Sequence, residues 1–213
     1  MQFSETLEAR RSVRVFKDAP VDEALIADIV RDAQKAPSWV NAQEWKVYAV
    51  TGQALEKWRA EQARLDRAGV KAASETAPAH REQYSAAAQE NMRVFTQRRI
   101  DAGLAEIKDE SQAWLFHAPC VMLLTVPKGR GDYAILDLGG FGQTLMLAAA
   151  DRGVDSLIAY NLVKYPDVIR KYAPVPEGEE LVIGIALGYA AEHPLNEFRS
   201  TRRDVADILT VVR

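Results

Sequence analysis

Residues 133–153, YAILDLGGFGQTLMLAAADRG, predict the longest helix of the chain, and we expect this helix to be deeply buried. Leucine, methionine and alanine fall on more than one side of this helix, which is typical of a helix buried in a core. Gly153 stands where a glycine commonly ends a helix. Gly139, Gly140 and Gly142 each weaken an isolated helix by about 1 kcal/mol relative to alanine, so we expect another helix backbone to pack closely there.

Apolar runs of strand length lie on both sides of this helix in the sequence. Cys120–Val126 and Leu181–Leu187 are almost continuously apolar, which is typical of central strands that are covered on both faces. Lys46–Val50 predicts a third strand, and the alternation in Val13–Phe16 predicts a brief fourth one. Long helices interleaved with a few buried strands predict an α+β fold with a central sheet.

Shorter helices are predicted from their caps and apolar stripes. Asp22 is placed to cap a helix whose stripe runs from Leu25 to Ala33, and Ser4 is placed to cap a helix that ends at Ala9. Residues 54–65 also have helical spacing, and Pro166 suits the first turn of a short helix.

Domain organisation is predicted from composition along the chain. Residues 59–112 are rich in alanine, glutamate, glutamine and arginine and contain few β-branched residues, which predicts helices inserted into the main fold. A mobile stretch is expected near residues 69–80. We therefore predict one domain over residues 1–213, with a helical insertion at about 59–112 and a C-terminal tail at about 195–213.

Composition excludes several classes of function. The chain has 213 residues, 27 lysines and arginines, 30 aspartates and glutamates, and one cysteine. This near balance of charge gives no global attraction to nucleic acid. Cys120 lies inside an apolar run, which predicts a buried thiol rather than a nucleophile, and a lone cysteine favours a reducing cytoplasm. No stretch approaches the about 20 apolar residues of a membrane span, so we expect a soluble cytoplasmic protein.

Conventional catalytic and metal motifs are missing from the sequence. The histidines His80, His117 and His193 are far apart, and none has a partner at metal-ligand spacing. The chain has no G-x-S-x-G, H-E-x-x-H or G-x-x-x-x-G-K-[ST] motif, and its G-x-G at residues 140–142 lies within a helix. We therefore predict no metal site and no catalytic dyad or triad.

Arginines cluster near both ends of the chain, around hydroxyl residues: Arg10, Arg11 and Arg14 around Ser12, and Arg199, Arg202 and Arg203 around Ser200 and Thr201. Guanidinium groups and hydroxyls together suit a phosphate site built from two distant segments. Composition alone favours a second explanation, in which these are solvated arginines paired with Glu5, Glu8, Asp204 and Asp207.

The segment APSWVNAQEW, residues 36–45, lies between a predicted helix and a predicted strand. Proline, serine, asparagine and glutamine between two tryptophans suit a loop that offers amide hydrogen bonds to a flat heteroaromatic ring. A structural turn capped by Ser38, with Trp45 entering the core, explains the same residues equally well.

Taken together, these segments resemble the flavin-dependent nitroreductase family over nearly the whole chain. EARRSVRVF at residues 8–16 is similar to the family's R-R-S-x-R-x-F opening, and residues 36–45 are similar to its A-P-S-x-x-N-x-Q-x-W loop. Residues 139–160 resemble the long buried helix and the strand after it. The last blocks, at residues 184–190 and 196–202, are similar to the closing G-x-x-x-G-Y-A and N-x-F-R-x-x-R stretches.

The resemblance implies a nitroreductase-like fold, with a central, mainly antiparallel sheet surrounded by helices, in a homodimer with an extended helical interface. It also implies FMN bound without a covalent bond at the dimer interface. The phosphate and ribityl groups would be held by Arg10, Arg11, Ser12, Arg14 and Arg202, with assistance from Arg199. Asn41 would contact the flavin ring from the partner subunit, beside Pro37, Ser38 and Trp39, and Gln43 would support that loop. Ile158, Ala159, Tyr160 and Asn161 would run beneath the ring, where a backbone N–H near N5 favours the reduced flavin.

The activity that the resemblance implies is reduction of nitroaromatics, quinones or similar small acceptors by NADH or NADPH. One pocket would take donor and acceptor in turn, which implies ping-pong hydride transfer. A related flavin enzyme such as a reductive dehalogenase, or a flavin-binding module without turnover, would share the same blocks. Trp39, Glu44 and the pair Arg203–Asp204 depart from the family pattern, so Trp39 either narrows the pocket or stacks on an aromatic acceptor.

Overall fold

A computed structural model describes residues 2–76, 78–107 and 110–213. In these residues the sheet has the strand order β1-β2-β4-β3, and every neighbouring pair is antiparallel. The strands are β1 (Lys46–Thr51), β2 (Cys120–Pro127), β3 (Asp155–Ala159) and β4 (Glu179–Gly188). The predicted α+β fold with a central, mainly antiparallel sheet is confirmed.

The described residues also form α-helices. They are α1 (Phe3–Ala9), α2 (Glu23–Ala33), α3 (Gly52–Arg67), α4 (Ala86–Asp101), α5 (Asp132–Asp151), α6 (Pro166–Tyr172) and α7 (Pro194–Glu197). Asp22 caps α2 as predicted, because its carboxylate accepts the N–H groups of Ala24 and Leu25. Pro166 begins α6, also as predicted. None of the described helices is both long and apolar enough to cross a membrane.

The central strands are buried on both faces, as their continuous apolar sequence predicts. Alternate residues of β2 enter two apolar clusters, with Val121 and Leu123 in one and Met122 and Leu124 in the other. The first cluster includes α3 and α6, and the second includes α2 and α5. Because side chains alternate along a strand, one continuous apolar run supplies the core on both sides of the sheet.

Helix α5 lies on the sheet, and Gly142 is the point of close approach. A Cβ at Gly142 would come 3.2 Å from Cδ1 of Leu124, so glycine lets the helix sit against strand β2. At Gly139 and Gly140 a Cβ would meet no described atom within 4 Å. The prediction that another helix backbone packs against these glycines is therefore wrong for the single chain. Gly153 ends the helix with a φ of 73°, as its position predicts.

The first segment of the chain is joined to the sheet by single bridges rather than by a regular strand. Ser12 pairs with Ser156, and Phe16 pairs with Ala190. The predicted strand over residues 13–16 is therefore wrong, although Val13 and Phe16 are both buried. The predicted cap at Ser4 is also wrong, because α1 begins at Phe3 and its N-cap is Gln2.

The side chain of Asn196 connects this first segment to the C-terminal part of the chain. Its side-chain oxygen accepts the N–H groups of Arg14 at 2.8 Å and Val15 at 3.2 Å, and its amide nitrogen donates to the carbonyl oxygens of Val15 and Ala191. The residue is 1 % exposed. A single buried amide thus satisfies backbone groups that lack ladder partners in a strand.

The described chain divides into two compact units. The first contains residues 2–76 and 110–196, and the second contains residues 78–107 and 197–213. Helix α3 belongs to the first unit up to Arg67, and its inward residues Leu55 and Trp58 are in the core. The single domain over 1–213, with the insertion at about 59–112 and the tail at about 195–213, stays a prediction.

Part of the stretch that we expected to be mobile is fixed to the first unit. Glu75 accepts the N–H of Leu181 at 2.7 Å and a guanidinium N–H of Arg170 at 3.1 Å, and Thr76 donates to Glu180 at 2.6 Å. Glu75 and Thr76 thus have defined partners, and mobility near residues 69–80 stays a prediction. Ala77, in the same predicted stretch, lies outside the described residues.

Replacing Asn196 with alanine is expected to lower the free energy of unfolding by about 3 kcal/mol, because several buried backbone groups lose their partner. The midpoint of chemical denaturation measures this loss. Asn91→Ala, on the exposed surface of α4, is the matched control and should change stability by less than about 0.5 kcal/mol. Equal midpoints for the two variants would contradict the role of Asn196.

Candidate functional site

The N-terminal arginines lie at the end of α5 and the start of β3. Arg10 and Arg11 line a pocket of about 250 Å³ together with Ala150 and residues 153–156. A guanidinium nitrogen of Arg11 lies 4.0 Å from a carboxylate oxygen of Asp155, and the other oxygen of Asp155 accepts the N–H of Ala190. The buried Nε of Arg11 has no hydrogen-bond partner among the described residues. Arg10 and Arg11 are thus the cationic residues beside this pocket, and guanidinium groups suit an anion.

Ser12 and Arg14 lie next to this pocket in the sequence, and their backbone is fixed. The carbonyl oxygen of Ser156 accepts the N–H of Val13 at 3.0 Å, and Asn196 accepts the N–H of Arg14. The Arg14 side chain donates to the carbonyl oxygen of Ser12 at 3.1 Å. The backbone of this segment is thus fixed in the first unit, and a joint phosphate site of Arg10, Arg11, Ser12 and Arg14 stays a prediction.

The alternative explanation paired these arginines with nearby acidic residues. Glu5 instead accepts the backbone N–H of Gln2 at 2.9 Å and caps α1. Asp204 accepts the N–H of Ala206 at 2.9 Å and caps a short turn. Both carboxylates have backbone partners, which weakens the explanation that they serve the arginines.

The loop at residues 37–43 has an unusual backbone. Val40, Asn41 and Gln43 have φ angles of 43°, 61° and 49°, in the left-handed region that side chains other than glycine rarely adopt. The Ser38 hydroxyl accepts the N–H of Gln43 at 3.1 Å, and the Gln43 amide donates to the side-chain oxygen of Asn41 at 2.9 Å. Gln43 thus supports Asn41, in agreement with the role that the resemblance implies for it.

Trp39 anchors the same loop to helix α5. Its backbone N–H donates to a carboxylate oxygen of Asp137 at 3.0 Å. The centroid of its ring lies 5.0 Å from that of Tyr133, and the two planes make an angle of 38°. The Trp39 side chain is still 59 % exposed, so one of its faces is open to a ligand. Neither Asp137 nor Tyr133 was predicted. An acidic residue inside an apolar helix is the signal that could have identified Asp137.

Trp45 enters the core, as the structural explanation of this segment required. It is buried and its ring stacks on Phe141 at 5.0 Å. The Ser38 contact with Gln43 also matches that explanation. The two explanations are compatible, because the buried end of the segment fixes a loop whose other residues, Pro37, Trp39 and Asn41, are exposed.

The strand end at residues 158–161 combines exposure with support from behind. Ile158 is 44 % exposed, whereas the next residues are half-buried. The Tyr160 hydroxyl accepts a hydrogen bond from Ser74 at 3.3 Å. Asn161 is held through its backbone by Gln62 and through its side chain by Gln112, at 2.9 and 3.1 Å. This exposed surface on a fixed backbone suits a flat ring.

The C-terminal arginines belong to the second unit. Phe198 packs edge-on against Phe95 of α4, with ring centroids 5.5 Å apart. Arg202 donates to the Ser200 hydroxyl at 2.9 Å and lines a pocket of about 370 Å³ with Asn91 and Arg203. A common phosphate site of Arg199 and Arg202 with Arg10 to Arg14 stays a prediction.

Cys120 has no features of a nucleophile. It is fully buried, and its thiol donates to the sulfur of Met122 at 3.7 Å. Burial raises the pKa of the thiol to about 12. The prediction of a buried, inert thiol is confirmed.

Comparison with known proteins identifies the chain's relatives. A family model described as the nitroreductase family matches residues 7–189. A 4-nitrobenzoate reductase of Pseudomonas putida is 28 % identical over 210 residues, which cover 94 % of this chain and 91 % of that protein. A nitrobenzene nitroreductase of Ectopseudomonas oleovorans is 27 % identical, over 95 % of this chain and 93 % of its own. The structure of the FMN-dependent nitroreductase NfnB from Mycobacterium smegmatis, in complex with NADPH, aligns with a TM-score of 0.89 and 26 % identity, over 100 % of this chain and 99 % of that one.

Replacing Asp137 with alanine is expected to loosen the loop at residues 37–43, because the backbone N–H of Trp39 loses its acceptor. Amide hydrogen exchange at Trp39 should become roughly tenfold faster, which corresponds to about 1.4 kcal/mol for one hydrogen bond to a charged group. Asp137→Asn keeps a carbonyl oxygen at this position and should retain most of the protection. Identical exchange in all three proteins would refute the anchoring role of Asp137.

Proposed function

The chain belongs to the nitroreductase family, and we propose that it is an FMN-dependent oxidoreductase that uses NADH or NADPH to reduce nitroaromatic, quinone or similar small acceptors. Its relatives carry the names of nitroaromatic reductases, and NfnB is FMN-dependent and was solved with NADPH. These relatives are similar to this chain over nearly their whole length.

The observation that carries this proposal is the donor set of the first unit. Arg10 and Arg11 line one pocket, and Ser12 and Arg14 follow them in a segment whose backbone is fixed by Ser156 and Asn196. Such donors fit a phosphate monoester, whose oxygens accept several charge-assisted hydrogen bonds. Arg202, with assistance from Arg199, would complete the phosphate site.

The flavin ring would be bound by the loop at residues 37–43 and the strand end at residues 158–161. Asn41 would offer its amide to the ring from the partner subunit, and Trp39 would cover one side of the pocket. Bound FMN would supply the two-electron chemistry, and NAD(P)H would supply the electrons. The chain's own residues would orient the ring and exclude water, which explains why a site without a catalytic dyad can be an active site.

We also propose a homodimer in which FMN binds at the interface. An exposed side of α5 carries Tyr133 and Leu136, which are 57 % and 68 % exposed, beside the open Gly139 and Gly140. The C-terminal tail exposes Val205, Ile208, Leu209, Val211 and Val212. Exposed apolar surface of this extent is typical of an interface between subunits. The open glycines would let a partner's helix approach closely.

A cytoplasmic location is the remaining part of the proposal. It rests on the single cysteine, which is buried and reduced and has no partner for a disulfide bond. Reduced nicotinamides are cytoplasmic cofactors, which agrees with this location.

The decisive experiment is to purify the protein, reconstitute it with FMN and titrate it anaerobically with NADPH and NADH. We expect a yellow protein that is bleached by a nicotinamide and regains its colour when 4-nitrobenzoate or a quinone is added. Analytical ultracentrifugation of the same sample should give the mass of two chains. A protein that cannot take up FMN would refute the proposal, and a yellow protein that neither nicotinamide bleaches would indicate a binding module without turnover.

Replacing Arg202 with alanine is expected to raise the dissociation constant for FMN by about 10- to 100-fold, because one charge-assisted hydrogen bond to phosphate contributes about 1.5–3 kcal/mol. Quenching of flavin fluorescence on binding measures this constant. Arg93→Ala is the matched control, since Arg93 is exposed in the same unit and paired with Glu90. Unchanged affinity in the Arg202 variant would reject its assignment to the phosphate.

A further inference from the structure

The turn at residues 160–163 follows β3 directly and continues the strand end that is proposed to lie beneath the flavin. Its last residues, Leu162 and Val163, are fully buried. A Cβ at Gly184 would lie 2.3 Å from Cβ of Leu162, so only glycine in β4 allows the turn to come this close to the sheet. Leu162 and Val163 are therefore fixed by packing. Tyr160 and Asn161 are half-buried, so this half of the turn must be fixed by other contacts.

Gln62 supplies the main contact to this half of the turn. It lies on α3, is fully buried, and donates from its amide nitrogen to the carbonyl oxygen of Asn161 at 2.9 Å. Its side-chain oxygen accepts the indole N–H of Trp58 at 3.1 Å. Trp58 and Gln62 are four residues apart, so they lie on one face of the helix. Both ends of the buried amide are thus satisfied.

An apolar side chain would be the usual occupant of this position. Gln62 follows Leu55 and Trp58 on the inward face of α3, and both of these are core residues. Burying an amide costs free energy unless its hydrogen bonds are made, so packing alone does not explain a glutamine here. Its specific effect is to fix the peptide plane between Asn161 and Leu162.

Two further side chains hold the same turn. Gln112 accepts a hydrogen bond from the side-chain amide of Asn161 at 3.1 Å, and Ser74 donates to the Tyr160 hydroxyl at 3.3 Å. The contact of Gln112 is exposed, so water can replace it. Gln62 itself is fully buried, so its amide depends on its protein partners more than Gln112 does.

We propose that Gln62 is a positioning residue that holds the backbone of residues 158–161 in the orientation that favours the reduced flavin. This inference rests on the proposed function. When N–H groups at this strand end face the ring, they stabilise the negative charge that reduction adds, and they do so only if their direction is fixed beforehand. Losing Gln62 should therefore weaken binding of reduced FMN more than binding of oxidised FMN.

The test compares dissociation constants for oxidised FMN and for FMN reduced anaerobically with dithionite. In Gln62→Leu we expect the ratio of the two constants to shift by about tenfold against the reduced form, which equals about 30 mV for a two-electron couple. Trp58→Phe is the matched control, because it removes the other hydrogen bond of the same amide and leaves the bond to Asn161 in place. It should lower stability without changing the ratio.

A second readout uses the chain without FMN. Amide hydrogen exchange at residues 160–163 should be faster in Gln62→Leu than in Trp58→Phe when the two are compared at equal global stability. If Gln62→Leu does not fold, Gln62→Met fills a similar volume and provides the same comparison.

The outcomes separate this inference from the proposed function. A wild-type protein that binds no FMN would overturn the proposed function and this inference with it. A wild-type protein that binds FMN, with a Gln62 variant that loses affinity for both redox forms equally, would overturn only the inference. A shift in the ratio confined to the Gln62 variants would support it.

Discussion

The hydrogen bonds of the Asn196 side chain are the constraint on which the candidate site depends. They hold the backbone of Arg14 and Val15, which has no regular strand partner, against the main body of the chain. The sheet alone would leave this segment attached through the isolated bridges of Ser12 and Phe16. Because Asn196 is buried, water cannot take its place. The arginines that suit a phosphate therefore project from a fixed backbone.

Much of the fold could be predicted from the sequence because its core elements have strong, local signals. The apolar run of β2 and the long apolar helix α5 are both where their patterns indicated, and Asp22 caps α2. The errors lie where tertiary contacts decide. Val13 and Phe16 alternate like a strand, but the N–H groups of Arg14 and Val15 between them donate to Asn196, which is 182 and 181 residues away, rather than to a ladder. No local pattern contains that information.

The candidate site could be predicted in its residue types but not in its supports. Arginines beside hydroxyls, and amides beside tryptophans, are recognisable because these groups bind ligands directly. Asp137 and Gln62 bind the backbone of other segments, Gln112 binds the side-chain amide of Asn161, and each is distant in sequence from the residue it holds. Asp137 and Gln62 can be recognised in the sequence, because a charged or amide side chain on an otherwise apolar helix face needs a partner.

Backbone strain in this protein is concentrated beside the proposed ligand surfaces. Val40 is β-branched and left-handed, in the loop that carries Asn41, and residues 115–117 form a second left-handed run with φ angles of 52°, 58° and 54°. Each such residue costs about 1–3 kcal/mol, so other contacts must maintain it. Arg59 does so for the second run by donating to the carbonyl oxygens of Trp114 and Ala118, at 3.1 and 2.6 Å, on either side of it. That run lies between Gln112, which holds the side chain of Asn161, and strand β2, so Arg59 fixes the segment that follows Gln112.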